Sequence, residues 1–480
     1  MITDATTRPR LIDKAEPPSQ LAGRLSRQSL LSGLGQGTFM TGSAVFFTQV
    51  VGLTVVQVGL GLTIAGVAGL LAAYPMGRLV DRIGPKRCWW ISSTGQAVLF
   101  AAWPFIDNFQ GYVAMAVVME VIGSPGLIAY RAYTIDVLPP GERVTSRAYM
   151  YSALNVGFTL GSLVGGIALA FESIPLLTVM PWLTAAVFLV NAAAVTRLPD
   201  ASHDLKTTDE RKIKIPGPGP MRNVGWLATM LFGGTLNTNQ VILHLVIPLW
   251  LVEKTDAPWV VLAFLFGTNT VMCIFLPMLA ARGIKNNATA LRAIRLATMF
   301  FVVSCVITLS THHSVGLWTV LLFFLGHVTL TGAELYLSAA SWTFEAELMD
   351  PRRRGDYQGA AELSSTLGRV WAPVLYTFLA MSWGTAGWLI IAGIITVAAA
   401  AMHPSVAMAR RFLERHVPAN ILADASASED TDDLPPNGPL LVELHDSHQP
   451  AMPQPTNPAW PSCQPSAIAR EQSRRSVRCR

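Results

Sequence analysis

Charge is what this sequence has least of. Only 14% of its 480 residues are Asp, Glu, Lys or Arg, against about 25% in soluble domains. A soluble chain of this length needs more charge than that to cover its surface, so the shortage excludes a soluble enzyme. It excludes a disordered scaffold as well, because 51% of the residues are hydrophobic and such scaffolds are poor in apolar side chains. Cysteine is scarce: Cys88, Cys273, Cys305, Cys463 and Cys479 form no CxxC and no metal-ligand spacing, which excludes a disulfide-stapled secreted module. The phosphate loop GxxxxGK[ST], HExxH and GxSxG are all missing, so nucleotide hydrolysis and the common hydrolytic chemistries are not expected. No cofactor and no metal is expected either. His312-His313 and His445/His448 are the nearest approach to a cluster, and both read as non-ligating.

What the chain has is long apolar runs. Segments near 20 apolar residues are long enough to cross a bilayer as helices. Twelve are expected, over roughly 31–51, 56–77, 88–106, 111–134, 147–170, 175–196, 224–251, 259–281, 290–310, 315–343, 358–381 and 384–403. The residues before them are polar and basic and do not read as a cleavable leader. Net charge is +5. In a soluble chain that would suggest nucleic acid; here the placement of the charges matters more, and no nucleic-acid partner is expected. All but two of the 35 lysines and arginines fall before the first span, in alternate connections and the span edges beside them, or after the last. The exceptions are Lys254 and Arg369. The positive-inside rule then places both termini in the cytoplasm of a cell bounded by this membrane. The expected organisation is a cytoplasmic segment 1–30, a six-helix bundle 31–197, a cytoplasmic connection 198–222 with Pro216-Gly-Pro-Gly-Pro220, a second bundle 223–403, and a polar, Pro-rich tail 404–480 that should be disordered.

The halves echo each other. Asp136 to Arg143 aligns with Glu347 to Arg354, and the same offset pairs Pro140 with Pro351 and Gly157 with Gly368. Parallel six-helix repeats of this kind build transporters with a midplane site between the halves. In the connection after the second span stands Gly77-Arg-Leu-Val-Asp81-Arg82-Ile-Gly84-Pro-Lys86-Arg87. This run resembles the G-x-L-a-D-r-x-G-r-k signature of the major facilitator superfamily, with Pro85 where a basic residue is usual. The resemblance covers residues 31–403. It implies an all-α polytopic fold of twelve transmembrane helices in two six-helix repeats, with Asp81 latching the halves shut on the cytoplasmic side. Glycines at 157, 161, 165 and 166 in the fifth span are similar to a motif of the superfamily's exporters, with Ser162 in place of its proline; Gly spacing of four also serves plain close packing.

The fourth span departs from the family. Its drug-antiporter members typically carry an intramembrane Arg where this chain has Glu120. A carboxylate at membrane depth costs several kcal/mol, so Glu120 should be protonated at times, paired, or facing water. In the tenth span His327, Thr331 and Glu334 share a face, as do Asn237, Gln240 and His244 in the seventh. The resemblance implies that the first, fourth, seventh and tenth helices line the cavity, which makes both stripes candidates for substrate or proton contact; interhelical hydrogen bonding is the other use of such residues. Glu362 and Arg369 read as packing or gating residues. The expectation is therefore a monomeric plasma-membrane transporter working by alternating access. It exports a small, moderately apolar molecule in exchange for protons, with Glu120, His327 and Glu334 as the titrating groups. A nutrient importer of the same fold, and a membrane-embedded enzyme or sensor, are the rival readings.

Overall fold

The computed structural model describes residues 17–171, 173–206, 215–312 and 314–426, and among these the only regular secondary structure is helix. In chain order the main helices are α1 (Gln20–Val45), α2 (Val55–Ile83), α3 (Pro85–Ala102), α4 (Phe109–Val137), α5 (Arg143–Ala170), α6 (Ile174–Thr196), α7 (Val224–Lys254), α8 (Val261–Phe275), α9 (Asn287–Ser310), α10 (Leu317–Glu347), α11 (Arg354–Arg369) and α12 (Ala372–His416). Eight helices of the described residues are long and apolar enough to cross a membrane, the last of them running through α11 and α12 together. α1 and α3 do not meet that measure, and α8 is only 15 residues long. α1 misses it because Gln28, Ser29, Thr38 and four glycines occupy its buried face.

Local chemistry sets the boundaries. The side chain of Ser19 accepts from the N–H of Ala22, capping α1. Thr54 with Gln57 and Asn286 with Thr289 form reciprocal capping boxes at α2 and α9. α2 stops at Gly84, whose φ of 101° is open to glycine. α7 is interrupted at Asn237-Thr238 and then widens to an i→i+5 turn over Ile242–Val246, just before Pro248, whose ring removes a backbone donor. α12 breaks at Gly384, φ 53°.

Two expected boundaries are corrected. The 1–30 segment is helical from Gln20, eleven residues before the expected start of the first span, because Ser19 caps it, Ala22 and Leu25 are buried, and Gln28 donates to Asn191 on α6 at 2.6 Å. The tail does not lose structure at 404. α12 continues to His416, since Ser405, Val406, Ala409 and Leu413 bury one face and Arg410 pairs with Glu414 at 2.7 Å, and a short helix Ala419–Ser426 follows. The acidic and basic stretches beyond it lie outside the described residues, as do Cys463, Cys479, His445 and His448.

Most buried apolar residues after the 198–222 connection share one core through Trp226, Trp250 and Trp388, which also takes in Ile135, Val144 and Ala148, with a small separate cluster at Cys273, Ala280 and Leu335. The residues before that connection do not. Their core divides into one cluster around Leu25, Trp89, Tyr133 and Leu198 and another around Phe46, Phe47, Trp103 and Tyr112. A cavity separates the two. Large apolar side chains such as Val56, Leu71, Phe264 and Val374 point outward, as a lipid-facing surface requires.

Candidate functional site

The two halves are joined at the end that carries the 2–3, 4–5 and 10–11 connections. Helix α11 begins there with backbone N–H groups that have no partner within the helix. Asp81, at the foot of α2, accepts from two of them, Gly355 N–H and Asp356 N–H, each at 2.8 Å. A carboxylate at a helix N-terminus is favoured by both hydrogen bonds and dipole. Glycine makes the approach possible: a Cβ on Gly77 would overlap the Gly355 carbonyl oxygen, and one on Gly359 would sit 2.6 Å from Ala73 O. The rest of the motif divides its work. Gly84 ends the helix, and Lys86 pairs with Asp200 at 2.8 Å within its own half. Arg82 and Arg87 are exposed.

Further contacts cross between the halves; beside Asp81, Arg78 pairs with Asp356 at 3.5 Å. Arg354 reaches Asp136 at 2.6 Å, Arg147 reaches Glu345 at 2.8 Å, and Arg131 reaches Glu362 at 3.0 Å. Deepest is the Tyr151 hydroxyl, which donates to Glu334 at 2.7 Å. Apolar contacts of Ile135, Val144 and Ala148 with the core of the second half accompany the ladder, which joins this end of the molecule by ionic and hydrogen bonds. Such polar contacts can be exchanged for water when the halves part, which a dry apolar seam could not do cheaply.

Beyond the seal lies the cavity, about 610 Å³, walled by α1 to α6 and closed on one side by Glu362, Thr366 and Arg369 of α11. Glu120 opens onto it and, among the described residues, has neither a hydrogen-bond nor an ion-pair partner. It stands over α2 at Gly69, where a Cβ would lie 3.0 Å from its Oε2. Of the situations expected for this residue, pairing is not found among the described residues, and the side chain faces space.

The second-half stripes lie elsewhere. His327, Thr331 and Glu334 are all buried on one face of α10, and Asn269 of α8 joins Thr331 at 3.1 Å and Glu334 at 3.2 Å. His244 is exposed and stacks on Phe266 at 5.7 Å, while Asn237 and Gln240 are half-buried beside the interruption in α7. None of these seven lines the cavity, so the expectation that α7 and α10 wall it does not hold in this conformation. In α5, Gly157, Gly161 and Gly165 press on the backbone of α1 at Leu30, Leu34 and Thr38, but Gly166 meets nothing within 4 Å. It is one residue off the packed stripe and leaves the set. Reasoning from sequence missed Tyr151, Asn269 and the Arg147–Glu345 pair. The pair had a signal, two opposite charges at the ends of apolar segments; the neutral residues had none.

Comparison with known proteins follows the same lines. The sequence profile of the Major Facilitator Superfamily matches residues 28–373. An uncharacterized MFS-type transporter, YdeE, of Escherichia coli (strain K12) is 26% identical over 152 residues, covering 32% of this chain and 38% of that one. The match thus spans well under half of the relative. The crystal structure of the human organic anion transporter MFSD10 (TETRAN) superposes with a TM-score of 0.56 at 17% identity, covering 81% of this chain and all of the other. A bacterial homologue of the iron transporter ferroportin, in an outward-facing state, gives 0.61 at 12% identity over 83% of this chain and all of that one. At such identities the likeness is one of fold. With the profile spanning most of the chain, this protein belongs to the major facilitator superfamily.

Proposed function

We propose that the protein exports a small, moderately apolar molecule, a drug or secondary metabolite, in exchange for protons. Twelve spans in two six-helix repeats alternate access across the plasma membrane, with both termini in the cytoplasm. The single observation that carries this reading is Glu120, a membrane-depth carboxylate without a counter-charge, open to a cavity whose other end is sealed. With the termini inside, the sealed end is cytoplasmic and the cavity is reached from outside. A bare carboxylate there takes a proton from the exterior. Closing the outer end over a charged Glu120 would cost several kcal/mol, so the proton is what permits closure. Opening the inner end then requires Asp81, Asp136, Arg147 and Arg131 to release α10 and α11, and the proton leaves to the cytoplasm as substrate enters. Each proton moving through 100 mV supplies about 2.3 kcal/mol.

Glu334 and His327 are the further titrating groups of this scheme. The Tyr151–Glu334 hydrogen bond ties Glu334 to the contact between the halves. Asn237, Gln240, His244 and Thr331 would meet substrate when α7 and α10 turn toward the pathway. The names of the fold neighbours, an organic anion transporter and a homologue of an iron transporter, disagree with each other and select no cargo. Drug-susceptibility and metabolite-export profiles of a deletion strain identify one. With that substrate in proteoliposomes, Glu120→Gln should abolish uphill, proton-driven transport and retain downhill exchange. A Gln variant that still concentrates substrate at the normal rate would remove Glu120 from the coupling role.

A further inference from the structure

We infer that the cavity takes a monovalent organic cation, an amphiphilic amine or quaternary onium ion, with its positive centre against Glu120 and its apolar body on the rings of Phe39, Phe100 and Phe188. The inference rests on the proposal that this cavity is the transport path, and it narrows the cargo by charge.

The charged groups that face the cavity are Glu120 from α4 and Glu362 and Arg369 from α11. Glu362 is fully engaged. One of its oxygens holds Arg131 at 3.0 Å and the other holds Arg369 at 3.0 Å. Arg369 also donates to Thr366 at 3.2 Å. Arg369 makes both of these bonds through one nitrogen and stays half exposed, so the surplus positive charge of the triad sits on the α11 wall, with Glu362 between it and Arg131. Glu120 has no such arrangement. α2 offers it Gly69; the other polar side chains on the cavity wall, among them Gln36 of α1, Gln96 and Ser92 of α3, Ser124 and Tyr130 of α4 and Asn191 of α6, are neutral. A carboxylate so placed is neutralised by a proton or by a cation that enters, and the same oxygens cannot serve both. Cation binding thus displaces the proton, one for one.

The walls suit the other end of such a ligand. Phe39 meets Phe100 edge-on at 5.1 Å, Phe100 stacks on Phe188 at 5.4 Å, and Trp89 meets Tyr130 edge-on at 5.1 Å. Aromatic faces attract cations as well as apolar bodies. The volume lies inside the roughly 300–1,000 Å³ range of pockets for drug-sized ligands. An anion of the same size would meet Glu120 unfavourably, and a neutral one would gain nothing from it.

The test uses the full-length protein in nanodiscs and two ions of one shape and opposite sign, tetraphenylphosphonium and tetraphenylborate, each corrected against empty discs. Tetraphenylphosphonium should bind the wild type and Glu120→Asp, and at least tenfold more weakly to Glu120→Gln. Its affinity for the wild type should fall as pH is lowered, with about one proton released per cation, and this dependence should vanish in the Gln variant. Equal affinity in Glu120→Gln, a preference for tetraphenylborate, or no binding of the phosphonium by wild type with an intact melting transition would each overturn the inference. Binding of the expected kind without proton-driven transport in proteoliposomes would refute the coupling proposal and leave the cation site standing.

Discussion

Asp81 shows how much one side chain can decide here. Its two hydrogen bonds go to N–H groups that α11 cannot satisfy itself, so the closed end is stabilised at a helix terminus rather than by a side-chain partner. Asn keeps the shape and one acceptor but loses the charge. Asp81→Asn should therefore weaken closure by about 1–2 kcal/mol, or roughly tenfold in the ratio of closed to open molecules, while leaving the fold intact. Pulsed-EPR distances between labels at the exposed Arg82 and Arg292 check this: the long-distance population should grow in the variant, and an unchanged distribution with normal transport would remove the latch role. The residue type and position were legible in the sequence because the motif is local. Its partner was not, since Gly355 and Asp356 act through backbone groups that carry no side-chain signature.

The helices divide into those that touch through backbone and those that touch through side chains. α1 and α5 approach so closely that Gly33 and Gly37 on one and Gly157 and Gly161 on the other leave no room for a methyl group. α7 and α11 repeat the arrangement, with Gly234 against Ser365 O and Gly368 against Leu231 O. That pairs Gly157 with Gly368, as the internal echo in the sequence suggested. Gly157→Ala should destabilise the protein by about 1–3 kcal/mol through overpacking, lowering its melting temperature in detergent. Gly166→Ala, with open space at its Cβ, should stay within about 0.5 kcal/mol of the wild type. Equal effects at the two positions would mean that the α1–α5 contact is looser than described. Spacing alone placed three of the four glycines on one face; it could not exclude Gly166, because helical phase is set by which neighbour the helix meets.

At the scale of the whole molecule the polar groups mark direction. The ion pairs that join the halves lie at the same end as most of the lysines and arginines, so the seal and the orientation signal coincide. A reporter enzyme fused after Ile215 should be active only in the cytoplasm, and one fused after Asp256 only outside; the reverse pattern would invert the orientation and turn the cavity toward the cytoplasm. The Arg147–Glu345 pair offers a second check. Both side chains are largely buried, so Arg147→Ala should cost about 3–5 kcal/mol of closed-state stability by leaving Glu345 unpaired, read as inner-end opening by the same labels. Recovery in Arg147→Ala with Glu345→Gln would identify the pair, and no recovery would locate the defect elsewhere.

The family, the helical class and the chemistry of the motif were determined by sequence alone. Composition reports the solvent a chain must face, and a bilayer leaves a backbone few ways to satisfy its hydrogen bonds. The extent of α1 and α12 was not legible in that way, because both continue past the apolar stretch on packing with α5, α6 and α7. Nor was the cavity. Glu120 could be marked as costly, but whether a membrane carboxylate is paired or faces space depends on what stands opposite. Only the tertiary structure decides that, by giving Glu362 its two arginines and leaving Glu120 none.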